Sequence, residues 1–210
     1  MKILLVDDHV IVRAGLRNLL MSVTGTHISE AATGRDALVR LRQDRPDLVL
    51  LDLNLPGIGG LELLRRMLVE DKAAQILVLS MHAEPLYAAR AMELGARGYL
   101  SKNASAEELL TAVRRVTEGG RYIENEIAQA LALQTVSPGG FPAHHGLQDL
   151  TERDMEIMRL MAEGMSLAEI ADALGIGYKT VANACSQIKT RLGVTRTNEL
   201  VRLAMTLGIA

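Results

Sequence analysis

Two hydrophobic periods alternate along the first half of the chain. Short apolar runs at residues 3–6, 28–31, 48–51, 76–79 and 98–100 read as strands, and each precedes a segment whose apolar residues recur every three or four positions. Val12, Leu16, Leu19 and Leu20 share a helical face after the first run, and Ala37, Leu38 and Leu41 do so after the second. Leu61, Leu64, Met67 and Leu68 follow the third, a helix opened by Pro85 the fourth, and Leu109, Leu110, Val113 and Val116 the fifth. Pro85 suits a first helical turn, where its missing N–H would have had no partner. Ser105 and Glu108 stand at capping-box spacing at the head of the last of these helices.

This alternation requires parallel strands joined by crossovers, hence an α/β, doubly wound parallel sheet of five strands. The runs at 3–6 and 48–51 are wholly apolar, as strands covered on both faces must be, whereas 28–31 and 98–100 are weaker and suit edges. These assignments favour the flavodoxin-like order 2-1-3-4-5. Beyond residue 118 the pattern loosens. Ile127, Ala130 and Leu131 mark a short helix at 126–133, and the following Pro- and Gly-containing stretch has no period and reads as a linker. The expected division is 1–118, a linker at 119–148, and a second domain at 149–210.

That second domain is all-helical. Thr151 caps a helix carrying Ile157, Met158, Leu160 and Met161, and Gly164 ends it. Ser166 and Glu169 form another capping box, opening a short helix with Leu167, Ile170, Ala171 and Leu174 on one face. The turn Gly175-Ile176-Gly177 and a helix over 178–192 complete a helix-turn-helix pattern. On that helix Val181, Cys185, Ile188 and Leu192 form a narrow core stripe, with Lys179, Asn183, Ser186 and Thr190 opposite and Ala182 and Gln187 flanking. Amide side chains on such a face can pair with adenine, and Lys179, Lys189, Arg191 and Arg196 can meet phosphates. With Thr180, these make Lys179, Thr180, Ala182, Asn183, Ser186, Gln187, Lys189 and Thr190 the candidate contacts to double-stranded DNA. In the terminal helix Leu200, Leu203, Ala204 and Leu207 close the core, while Val201 and Met205 offer a second face to a homodimer.

Composition sharpens this in a few places. With 210 residues, 49% of them apolar and 23% charged, the chain has material for two cores. A net charge of −2 gives no global sign of a nucleic-acid partner, but residues 149–175 carry net −5 and residues 176–210 net +4, a local basic face. One Phe and no Trp argue against aromatic stacking on single strands. The single Cys185 lies on the core stripe, excludes an internal disulfide and suits a reducing compartment. No apolar run approaches the ~20 residues that span a bilayer, so a soluble, cytoplasmic protein without membrane attachment is expected. His144 and His145 have no partner ligands nearby and are not read as a metal site.

Strand ends carry the chemistry. In a parallel doubly wound sheet all strand C-termini share one edge, where ligands bind. The first strand ends in Asp7-Asp8, the third in Asp52, the fourth in Ser80 and the fifth in Ser101-Lys102, whereas the second offers nothing chemical. Each alone has an ordinary explanation as a cap or a solvated charge. Together they place three carboxylates, a hydroxyl and an ammonium at one edge, an arrangement that demands a cation. Few hard oxygen ligands, with room for water and a phosphoryl oxygen, suit Mg²⁺. Asp52 is then the in-line nucleophile and Lys102 the counter-charge, giving an acyl phosphate.

The motifs Val6-Asp7-Asp8-His9, Leu51-Asp52-Leu53-Asn54-Leu55-Pro56-Gly57, Leu79-Ser80 and Gly95-Ala96-Arg97-Gly98-Tyr99-Leu100-Ser101-Lys102 resemble the receiver domain of two-component response regulators over about residues 2–118. The resemblance implies that Asp52 accepts a phosphoryl group from a sensor histidine kinase and that Asp7, Asp8, Asp52 and the backbone carbonyl of Asn54 hold Mg²⁺. It also implies that Ser80 and Lys102 contact phosphoryl oxygens and that Tyr99 repositions as a switch; from the strand pattern alone, Tyr99 could equally be an edge-strand residue packed on the fourth helix. The second domain resembles the LuxR-type domain of NarL/FixJ-family response regulators from Leu150-Thr151-Glu152-Arg153 to Leu192-Gly193-Val194, with Ala182, Ala184 and Ser186 where many relatives carry larger groups. The function implied is a phosphorylation-controlled, DNA-binding transcriptional regulator, not an enzyme beyond its own phosphoryl transfer and any autodephosphorylation. An aspartyl-phosphate hydrolase would resemble its class in a second Asp two residues after the first, where this chain has Asn54. A module whose helical domain binds protein is the other rival.

Overall fold

The computed structural model describes residues 1–22, 25–56, 58–81, 85–136 and 150–206. They divide into an α/β unit and an all-helical unit. The α/β unit is one parallel sheet in the order β2-β1-β3-β4-β5-β6. Its strands are β1 (Lys2–Val6), β2 (His27–Ala31), β3 (Leu48–Asp52), β4 (Ile76–Ser80), β5 (Gly98–Ser101) and β6 (Tyr122–Ile123). Every residue of β3, β4 and β5 is buried, as strands covered on both faces require. The expected order of five holds. A sixth strand of two residues, inside the stretch expected as linker, extends it, so β5 is not an edge. No apolar alternation could announce a strand that short.

The connecting helices are α1 (Val10–Met21), α2 (Gly34–Asp44), α3 (Gly60–Glu70), α4 (Pro85–Leu94) and α5 (Ala106–Thr117), and α6 (Asn125–Val136) follows β6. Leu20 of α1 and Leu109, Ala112, Val113 and Val116 of α5 join Ile3, Leu5, Leu48, Leu50, Leu77, Leu79 and Leu100 in one apolar cluster. Each such Leu contributes about 2 kcal/mol by leaving water. On α1 only Leu20 is buried, whereas Leu16 and Leu19 are half-buried against the cluster. The head of α5 departs from a full capping box. Ser105 Oγ accepts from the Glu108 amide at 3.1 Å, but the Glu108 carboxylate accepts instead from the Tyr122 hydroxyl at 3.0 Å and fastens β6 to α5.

The helical unit comprises α7 (Glu152–Ala162), α8 (Leu167–Ala173), α9 (Tyr178–Leu192) and α10 (Thr197–Thr206). Reciprocal capping boxes, Thr151 with Asp154 and Ser166 with Glu169, open α7 and α8. Gly175 turns the chain from α8 towards α9 at φ 62°, a left-handed conformation that favours glycine. Val181, Cys185, Ile188 and Leu192 are buried with Ile157, Met158, Ile170, Leu200, Leu203 and Ala204. Leu207, which was expected to help close this core, lies outside the described residues, as do Gly57 and His144-His145.

Candidate phosphoacceptor site and nucleic-acid face

The sheet brings the predicted strand-end groups together. Asp7 follows β1, Asp52 ends the adjacent β3, and Lys102 follows β5. Each aspartate uses one oxygen to accept the amide two residues on, an Asx-turn geometry: Asp7 Oδ1 from His9 at 2.8 Å and Asp52 Oδ1 from Asn54 at 3.0 Å. Their remaining oxygens converge on one ammonium, Lys102 Nζ, 2.6 Å from Asp7 Oδ2 and 2.7 Å from Asp52 Oδ2. The side chains of Asp7, Asp52 and Lys102 are 3%, 1% and 9% exposed, so these are bonds formed away from water.

Burial lifts the Asp52 carboxyl above the ordinary aspartate range, against the hydrogen bonds of Lys102 and Asn54, which lower it. Burial pulls the Lys102 ammonium down, but the two aspartates outweigh it and hold it above the usual lysine value. Lys102 is therefore the fixed positive charge of the site.

Asp8, which is less buried, keeps Oδ1 without a hydrogen bond; His9 Nδ1 stands 2.9 Å from it. Ligand atoms of Asp7, Asp8, His9 and Asp52 all fall within 4.8 Å of one another. A buried carboxylate oxygen without a hydrogen bond, beside two buried carboxylates, fits a hard divalent cation, and Mg²⁺ is the cation such oxygens suit. The Asn54 side chain is exposed, and its main-chain N–H is already bound to Asp52 Oδ1.

Ser80 ends β4, fully buried opposite Ser101, and its carbonyl accepts from the Lys102 amide at 2.7 Å. Tyr99 lies in β5 between Val78 and Ile123 and is fully buried. The sequence reading missed a second layer. Arg13, on the first turns of α1, donates to the main-chain carbonyl of Asp7 and pairs with Glu30 at 3.3 Å, and Arg17 pairs with Glu30 at 3.2 Å. The second strand, expected to offer nothing, thus supplies Glu30, the anchor for the arginine behind the acidic pair. The available signal was the backward lean of helical side chains, which aims Arg13 at the strand end before it.

In the helical unit, Lys179, Thr180, Asn183, Ser186, Gln187 and Thr190 are exposed on α9, Ala182 and Lys189 are half-buried, and the core stripe lies opposite. Tyr178, at the head of the same helix, is also exposed and was not foreseen there. Arg191 departs from expectation. Its guanidinium, half-buried, lies 2.6 Å from buried Asp154 and ties α9 to α7. Burial pushes the Cys185 thiol up, and its Sγ packs 3.5 Å from Met161 Sδ, as suits a core residue. On α10, Met205 is exposed and Val201 half-buried. No helix among the described residues is long and apolar enough to cross a membrane.

Comparison with known proteins agrees with this geometry. Residues 3–114 match the family described as response regulator receiver domain, and residues 148–204 match bacterial regulatory proteins of the luxR family. The chain is similar to the response regulator UvrY of Escherichia coli, 37% identical over 99% of this chain and 94% of the relative. It is 40% identical to the transcriptional activator protein ExaE of Pseudomonas putida, over 100% of this chain and 98% of that one. Among solved structures, a LuxR-family two-component response regulator from an Aurantimonas species is 40% identical, with a TM-score of 0.63, covering 65% of this chain and 98% of its own.

Proposed function

We infer the working of this site from the family to which the chain belongs: it is a two-component response regulator of the NarL/FixJ type, a receiver domain followed by a LuxR-type DNA-binding domain. Asp52 is the phosphoacceptor. The observation that carries this reading is the convergence of Asp7 and Asp52 on Lys102 at the edge where three strands end. Asp7, Asp8, Asp52 and the Asn54 carbonyl would hold Mg²⁺, which neutralises charge on the transferring phosphoryl group. A carboxylate oxygen of Asp52 attacks the phosphorus of a phosphohistidine on a sensor histidine kinase, the P–N bond breaks, and the new P–O bond forms the acyl phosphate. Lys102 is already held within reach of Asp52 and turns to a phosphoryl oxygen; Ser80 meets another, and Tyr99 follows it as the switch.

The same reading divides the chain into a receiver at 1–118, a connection at 119–148 and a DNA-binding domain at 149–210, active as a homodimer in the cytoplasm. Lys179, Thr180, Ala182, Asn183, Ser186, Gln187, Lys189 and Thr190 form the surface offered to double-stranded DNA. Beyond its own phosphoryl transfer the protein is not an enzyme. The test is Asp52→Asn in the full chain: a phosphodonor with Mg²⁺ raises the affinity of the wild type for its operator and leaves the variant unchanged. An equal response in both would remove Asp52 from the mechanism.

A further inference from the structure

We propose that Glu124 is a positioning residue that ties the Lys102 end of β5 to the first turn of α6. The proposal rests on the phosphoacceptor reading for its purpose, though not for its geometry. In the β5·β6 ladder the Tyr122 amide donates to the Arg97 carbonyl at 3.0 Å and the Glu124 amide to the Tyr99 carbonyl at 3.1 Å. The next rung of a parallel ladder would run from the Ser101 N–H to the carbonyl of Glu124. That carbonyl is turned into α6 instead, where it accepts from the Ala128 amide at 2.9 Å and closes the first turn. The Glu124 carboxylate takes the rung instead: Oε2 accepts from the Ser101 N–H at 2.6 Å.

One residue thus ends a strand with its side chain and starts a helix with its backbone. Ser101 is buried and immediately precedes Lys102, whose own amide is fixed to the Ser80 carbonyl on the other flank of β5. The short strand is also tied to α5, where the Tyr122 hydroxyl donates to Glu108 at 3.0 Å. A change in the main chain at 101–102, as Lys102 turns from Asp7 and Asp52 towards a phosphoryl group, must therefore either stretch a charge-assisted hydrogen bond or move the head of α6. In chain order α6 opens the connection to the helical unit. Asp at position 124 would be one methylene short, whereas Gln keeps an acceptor without the charge.

A double-mutant cycle in the full-length protein tests this, read as amide hydrogen exchange in peptides covering 125–133. Lys102→Ala is expected to change exchange at the head of α6 by about tenfold in the wild-type background, and by less than about twofold beside Glu124→Ala, because the connection is already cut. In Glu124→Gln the response to Lys102→Ala is largely retained, which separates loss of the tie from simple fraying of the helix. Equal responses with and without Glu124, or a response lost equally in Glu124→Gln and Glu124→Ala, would overturn the proposal. In the same proteins, phosphoramidate with Mg²⁺ is expected to alter α6 exchange in the wild type and not in Glu124→Ala, with phosphoryl uptake followed by intact mass. Failure of the wild type to gain a phosphoryl group would strike the phosphoacceptor reading, while the cycle between positions 102 and 124 would still decide the tie.

Discussion

Asp52 and Asp7 are buried carboxylates that share one ammonium, and removing that ammonium leaves two charges in a place that cannot solvate them. Lys102→Met should therefore destabilise the receiver at neutral pH by about 3 kcal/mol, as loss of one partner of a buried charge cluster does. The sign with pH follows from Lys102. Its folded-state pKa is raised above the ordinary 10.5, so its contribution is fully present below that value and is lost as pH rises through the folded pKa. Urea midpoints of wild type and variant should differ by a constant amount from pH 7 to 9 and converge only above about 10.5. Mg²⁺ should narrow the gap at neutral pH, since carboxylates that Lys102 no longer neutralises bind the cation more tightly and a bound cation stabilises the folded state. A gap unaffected by Mg²⁺ would tell against these carboxylates as its ligands. Asp7, Asp8, Asp52 and Lys102 were legible in the sequence because a parallel sheet delivers every strand end to one edge. Arg13 and Glu30 were not, because their meeting depends on the lean of one side chain and the twist that brings β2 beside it.

Among the elements, the start of α3 is packed closely against the residue after Asp52. Gly60 opens α3 against β3: its amide donates to the Leu53 carbonyl at 3.0 Å, and a Cβ there would stand 2.2 Å from the Leu53 Cα. Backbone cannot yield as a side chain can, so Gly60→Ala should cost at least ~2 kcal/mol and displace the residue after Asp52. Stability by urea unfolding and phosphoryl uptake by intact mass should fall together; wild-type behaviour in both would show that the loop has slack. The head of α9 has the opposite character. Its N-cap is Gly177, with no side-chain cap and only Thr180 Oγ1 near a new Cβ, at 3.8 Å. Gly177→Ser should raise the melting temperature of the helical unit through a gain of roughly 0.5–1 kcal/mol. The helices of both units could be read from their 3.6-residue period. What escaped was structure made by side chains standing in for backbone: β6 exists because Tyr122 reaches Glu108 and Glu124 completes the ladder, and neither bond has a periodic signature.

For the whole molecule, the proposed control has a phosphoryl group on Asp52 alter how α9 meets DNA, and moving such an equilibrium from about 1:99 to 99:1 takes ~5.5 kcal/mol. The output side can be tested by itself, because the basic residues of α9 and its flanks divide by geometry. Lys179 is exposed on the face opposite the core, whereas Arg191 is bound to Asp154 at 2.6 Å. Lys179→Ala should weaken binding to operator and unrelated duplexes alike and lower the slope of log affinity against log salt by about 1 per recognition helix, as loss of one phosphate contact does. Arg191→Ala should leave that slope unchanged and instead lower the unfolding midpoint, since it removes the charge partner of buried Asp154 at the head of α7. Asn183→Ala should cost about 1–3 kcal/mol on the operator and little elsewhere, because an amide reads base edges whereas phosphates are the same in every sequence. Titrations of the three variants over a salt series on both duplexes decide the matter: a slope that falls with Arg191 and stays with Lys179 would mean that α9 presents a different face to DNA.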